Sequence, residues 1–148
     1  ALFFYSQKVL DKHQVDILVI DAQHECLNGE TSAVFTAEGM QGCICMYRMQ
    51  SEEVRPIHVL LHELGHLLHI KVTGTLTEIP KSFVGHLLSL GIECSKLTAA
   101  QLQELFADTF MLAVINKHPE LGVPEPNFSA KTLAHCYKYI CTLFDSMR

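Results

Sequence analysis

A chain of 148 residues is the size of one domain and is long enough to bury a substantial core. Its apolar fraction of 49% and charged fraction of 18% argue against disorder, and a formal charge of −5 without any Lys/Arg block removes the electrostatic footprint of a nucleic-acid binder. No uncharged run approaches the length of a membrane span, and Leu2-Phe3-Phe4-Tyr5 is too short for a signal peptide and lacks its basic flank, so the chain reads as soluble and cytoplasmic.

Residues 5–14 read as a short helix, and Val15 to Ile20 is a β-branched run that reads as a buried strand. Beyond the turn signal Asn28-Gly29, two further strands are expected at Ser32 to Ala37 and Gly42 to Met49, with Glu38-Gly39 between them. They suggest a small antiparallel sheet whose last strand could take an extended peptide along an exposed edge.

A helix follows from about Arg55 to Val72, with Pro56 near its first position and a break at Gly74. Pro80 could open a short helix to Leu90, closed by Gly91. Thr98-Ala99-Ala100-Gln101 is a capping box, so a helix starts there and runs to about Lys117, ahead of Pro119. Pro124 and Pro126 mark a loop, and Ser129 caps a last helix to about Asp145. That role as a cap is preferred for Ser129 over a glycosylation sequon beginning at Asn127. The six cysteines, at 26, 43, 45, 94, 136 and 141, include no C-x-x-C pair and are expected as free thiols.

The chemistry is concentrated in His62-Glu63-Leu64-Gly65-His66. In a helix His62 and His66 share one face about 6 Å apart along the axis, so both imidazoles can reach one ion. Glu63 lies about 100° further round, beside that site, where a general base would stand. With 9 His and 11 Glu in 148 positions, random shuffling yields this pattern in roughly 0.04 chains. The surrounding Leu60, Leu61, Leu64, Leu67 and Leu68 supply the buried side of a helix.

A catalytic zinc takes three protein ligands and leaves a position for water. Glu104, on the capping-box helix, is the expected third ligand, and Asp108, one turn later on the same face, could accept the distal N–H of a ligand histidine. His58 and His69 extend the same stripe, but His69 lies about 10.5 Å along the axis from His62, too far for easy convergence. Both are expected on the helix face or just outside the ligand set, and His86 and Glu78 are less favoured ligands. With zinc lowering the pKa of a water, Glu63 would take its proton and pass it to the leaving amine. A second oxyanion donor could come from Tyr47, Tyr137, Tyr139, His86 or His135, which the sequence does not rank.

Gly42-Cys43-Ile44-Cys45-Met46, Arg55 ahead of Leu60 to His69, and Glu104-x-x-Ala107-Asp108-x-Phe110 together resemble the ImmA/IrrE family of small zinc metallopeptidases over roughly residues 15–115. The resemblance implies an α+β fold, a minimal zincin-like (gluzincin-like) domain with a small sheet packed on the motif helix and further C-terminal helices. It implies zinc on His62, His66 and Glu104, with Glu63 as base, and cleavage of a partner protein, typically a helix-turn-helix repressor encoded on a mobile element. Met111-Leu112-Ala113-Val114-Ile115 stands where the family often has Leu-Met-Pro, and the linker between the metal helices is long. The alternative expectation is a zinc-stabilised module that binds a regulatory protein without cutting it.

Overall fold

The computed structural model describes residues 15–37, 39–124 and 128–147. The helix expected over 5–14 lies outside the described residues. Three strands, β1 (Val15–Gln23), β2 (Gly29–Thr36) and β3 (Gly39–Arg48), come first. Helices α1 (Pro56–Thr73), α2 (Phe83–Ser89) and α3 (Ala99–Lys117) follow, then a 3₁₀ turn at Pro119–Leu121 and helix α4 (Ala130–Ser146). The architecture is α+β.

The sheet is mixed, which corrects the antiparallel expectation. Its order is β1-β3-β2, with β3 antiparallel to β2 and parallel to β1. After β1 the chain turns and lays β2 one strand-width away, and the β2–β3 hairpin then fills the gap. Hydrogen bonds hold the turn over the end of β3. Tyr47 N–H donates to the Asn28 carbonyl at 3.0 Å and Gln50 N–H to Asn28 Oδ1 at 2.7 Å, while His24 Nδ1 accepts the N–H groups of Cys26 and Leu27. Because β3 is paired on both sides, it has no free edge for a peptide, contrary to the sequence expectation. Among the described residues, the edges are β1 and β2.

Side chains alternate between the two faces of a strand, and the register places Ile17, Thr31 and Ile44 in one row and Val15, Ala33 and Gly42 in the next. This face packs on α1, where Leu67 joins Val15, Ile44 and Met46 in a small core. The opposite side of α1 sends Leu61 and Leu68 into a larger core with Phe83, Leu87, Phe106, Leu112, Ile140 and Leu143. Helix α1 is therefore apolar on two sides, leaving a narrow stripe for its polar residues.

The ends of α1 follow their local chemistry. Arg55 is extended, Pro56 occupies the first turn where a missing N–H costs nothing, and Gly74 stops the helix in the left-handed region (φ 75°), its N–H donating to the Ile70 carbonyl at 2.8 Å. Both halves of the capping box at Thr98 and Gln101 are formed. Helix α2 begins three residues later than expected, because Pro80 opens a turn, with Phe83 N–H bonded to the Pro80 carbonyl, before the helix proper. All six cysteines are free, and no described helix is long and apolar enough to cross a membrane.

The approach of α1 to α3 depends on Gly65. A Cβ at this position would lie 2.7 Å from Ala107 Cα and 2.8 Å from Ala107 O, so the absence of a side chain lets the two backbones nearly touch. That contact sets the histidines of α1 opposite the carboxylates of α3.

Candidate metal centre

Helix α1 contributes His62 and His66, and α3 contributes Glu104. One ligand atom from each falls in a group whose members all lie within 4.8 Å of one another. His62 Nε2 is 3.1 Å from His66 Nε2 and 2.9 Å from Glu104 Oε2, and His66 Nε2 is 3.0 Å from Glu104 Oε1. Two imidazole nitrogens and a carboxylate match the donor set of catalytic zinc and also suit other divalent first-row ions. The group can hold a metal ion.

Both histidines are oriented from behind. His62 Nδ1 is 2.8 Å from Asp108 Oδ1, the contact expected from the one-turn spacing of Glu104 and Asp108. With one proton on Nδ1 facing Asp108, His62 presents Nε2 to a cation that displaces the proton Nε2 shares with Glu104. His66 Nδ1 meets His69 Nε2 at 3.0 Å, so His69 lies behind a ligand histidine, as a residue outside the ligand set. His58 takes no part in the group; its Nε2 reaches the carbonyls of Leu121 and Gly122 and ties the start of α1 to the chain beyond α3.

Glu63 is 7% exposed, and its carboxylate accepts a hydrogen bond from the Thr31 hydroxyl on β2. Thr31 escaped the sequence reading, because only the register puts that residue of an edge strand over α1. The other less favoured positions lie elsewhere. Glu78 is exposed and contributes its main-chain carbonyl to His69, and His86 is buried, stacked on Tyr139 and 3.9 Å from Cys136 Sγ.

The oxyanion candidates are likewise dispersed. Tyr47 follows Met46 and so projects from the sheet face away from α1, donating to Glu30 at 2.7 Å, a bond that pushes the phenol up to about 12. Tyr139 packs on Phe83 and His86 and shares a hydrogen bond with Ser82. Tyr137 and His135 lie on α4, and neither belongs to the ligand group.

Two carboxylates dominate the electrostatics of the group. Burial pulls the His62 imidazole down, but hydrogen bonds to Asp108 and Glu104, together with their charges, outweigh it and push His62 up to about 10. Hydrogen bonds from His62 and His66 hold the Glu104 carboxyl well below the usual carboxylate range. At His69 burial, with His66 adding to it, outweighs the hydrogen bond to the Glu78 carbonyl and the Glu104 charge, and at His86 burial acts together with His135; both fall to about 4.

These shifts fix the pH dependence of the metal-free protein. A raised His62 stabilises the fold fully below its unfolded value of 6.5, and that contribution is lost as the pH rises through about 10. Depressed His69 and His86 act in the opposite sense: they must charge on unfolding, so stability falls as the pH drops from 6.5 through about 4. Urea midpoints of metal-free protein are therefore expected to peak near pH 6.5. Zinc must displace the His62 proton, so the stabilisation it adds should grow from pH 6.5 to 9. A metal-free midpoint that climbs steadily through pH 9 would contradict the His62 assignment.

Compared with known proteins, the chain matches no family model, no curated protein and no solved structure.

Proposed function

We propose that this chain is a zinc-dependent endopeptidase of ImmA/IrrE-like character, with zinc on His62, His66 and Glu104 and with Glu63 as general base. The observation that carries the reading is the convergence of those three ligands from two helices, with Glu63 next to His62 in sequence. A structural zinc site normally closes its fourth position with protein and needs no base, whereas three ligands leave one position for water.

When bound, zinc would supply Lewis acidity to a water and to the scissile carbonyl. The chain's own residues do the rest. Asp108 and His69 hold the two imidazoles, and Thr31 directs the Glu63 carboxylate. Glu63 takes a proton from the attacking water as its oxygen adds to the carbonyl carbon, and delivers that proton to the amine as the C–N bond breaks.

The substrate-binding strand moves from β3 to β2. Thr31 and Gly29 of β2 lie against Glu63, so an extended peptide adding to the free edge of β2 would run past the base. This favours unfolded or extended segments of a partner protein in the cytoplasm, of which a helix-turn-helix repressor is one. The test is to incubate zinc-loaded chain with a mixture of unfolded peptides and map new termini by mass spectrometry. Cleavage that a chelator stops and zinc restores supports the peptidase.

A second reading, a zinc-stabilised module that binds without cutting, draws on the 7% exposure of Glu63 and its engagement by Thr31. It requires a bound partner that remains intact on prolonged incubation with zinc-loaded protein. Cleaved partner at sub-stoichiometric protein would reject it.

A further inference from the structure

His69 is 1% exposed, and each of its ring nitrogens has one partner. Nδ1 lies 3.0 Å from the Glu78 main-chain oxygen, and Nε2 lies 3.0 Å from His66 Nδ1. A carbonyl can only accept, so His69 carries its proton on Nδ1. In a neutral imidazole the other nitrogen is then an acceptor, and His66 Nδ1 must be the donor to it. His66 Nδ1 is thereby committed to its proton, and Nε2, which faces His62 Nε2 and Glu104, is the nitrogen left to meet a cation. The direction of every bond in this series follows from a single backbone carbonyl.

We propose that His69 is a positioning residue for the metal centre: through the Glu78 carbonyl it fixes the tautomer and ring orientation of His66, and it makes segment 74–79 part of the support of the site. The proposal rests on the metal reading given above. A second contact points to the same segment. Gln103, which precedes Glu104, donates from Nε2 to the Thr77 carbonyl at 2.6 Å. One short segment is thus tied to both ligand-bearing helices, to α1 through His69 and to α3 through Gln103.

The local structure explains how the carbonyl gets there. Gly74 turns the chain out of α1 in the left-handed region, and Thr75 Oγ1 then accepts the Glu78 N–H at 3.1 Å, folding the segment back over the end of the helix. The Phe106 ring meets His69 edge to face, with centroids 5.7 Å apart, and limits the imidazole's rotation from the core side. The two ligand histidines therefore have different supports. His62 is held by Asp108, whose side chain is 42% exposed, and His66 by a buried imidazole that brings no negative charge into the core.

The experiment uses the full chain and Zn²⁺ alone. Two-bond ¹H–¹⁵N correlation of the imidazoles is expected to show His69 protonated on Nδ1, both metal-free and zinc-loaded, and His66 protonated on Nδ1 with its Nε2 resonance moved by zinc. In competition titrations, His69→Phe, which keeps the ring volume but neither hydrogen bond, is expected to lower Zn²⁺ affinity about 10–100-fold. His69→Gln, whose amide can donate and accept, should recover a measurable part of that loss. A zinc-binding wild type with His69 protonated on Nε2, or a folded His69→Phe variant with wild-type affinity, overturns the positioning role alone. A wild type that takes up no Zn²⁺ overturns the metal reading and this role with it. Should the His69→Phe variant not fold, the wild-type tautomers carry the test.

Discussion

Glu63→Gln is expected to lower zinc-dependent peptide cleavage by about 10²–10⁴-fold, the usual contribution of a positioned general base. The substitution keeps the side chain's shape, and an amide oxygen can still accept from the Thr31 hydroxyl, so the packing between α1 and β2 survives. It removes the ability to take a proton from water. Zinc affinity should change by less than about tenfold, because Glu63 is not one of the converging ligands and the variant keeps His62, His66 and Glu104. Cleavage rates and zinc titrations on the same preparations check both halves. Undiminished cleavage by the zinc-replete Glu63→Gln variant would take the base role away from Glu63.

Gly65→Ala should destabilise the fold by about 1–3 kcal/mol, the typical cost of forcing atoms into a filled interior. The sign makes the experiment informative. In an uncrowded helix the same change would stabilise by about 1 kcal/mol, because glycine is the poorer helix former. Here the new Cβ would stand 2.7 Å from the α carbon and 2.8 Å from the carbonyl oxygen of Ala107, and backbone atoms of a packed helix cannot swing aside as a side-chain tip would. Helix α3 must move off α1, carrying Glu104 and Asp108 away from His62 and His66, so zinc affinity should fall at least about tenfold as well. Denaturant midpoints and zinc titrations read the two effects. A stabilised Gly65→Ala variant with unchanged zinc affinity would mean that the helices do not cross this closely.

What could be read in advance shares a common property: its cause lies within a few residues of its effect. The start of α1 at Pro56, its stop at Gly74, the capping box at Thr98 and the cap at Ser129 all involve backbone groups that the neighbouring residues themselves satisfy. The histidine pair at 62 and 66 belongs to the same class, since helical spacing alone puts both on one face. Glu104 was found on chemical grounds, as the carboxylate of a well-marked helix with a second carboxylate four residues on. The pairing with α1 was not itself visible, although Gly65 and Ala107, the small residues inside the two motifs, mark where the helices meet.

The sheet shows where local reading ends. A β-branched run and turn signals announced three strands, but the same signals serve a parallel or an antiparallel neighbour, and nothing near β1 announces that β3 will enter between it and β2. That insertion took the free edge away from β3 and left it on β2, and it set Thr31 over Glu63. The role of His69 was hidden for a similar reason, because its position on the helical stripe gives its distance from His62 but not the arrival of a carbonyl from Glu78.

By itself, then, the sequence determined the three long helices, their ends and the residue types able to grip a cation, since turn geometry and backbone capping act over three or four positions. Only the tertiary structure decided which strand borders Glu63, which groups stand behind each imidazole and how near the two helices of the candidate site lie. Those depend on contacts between segments far apart in the chain, where packing of one backbone against another selects among arrangements that local preference leaves equal.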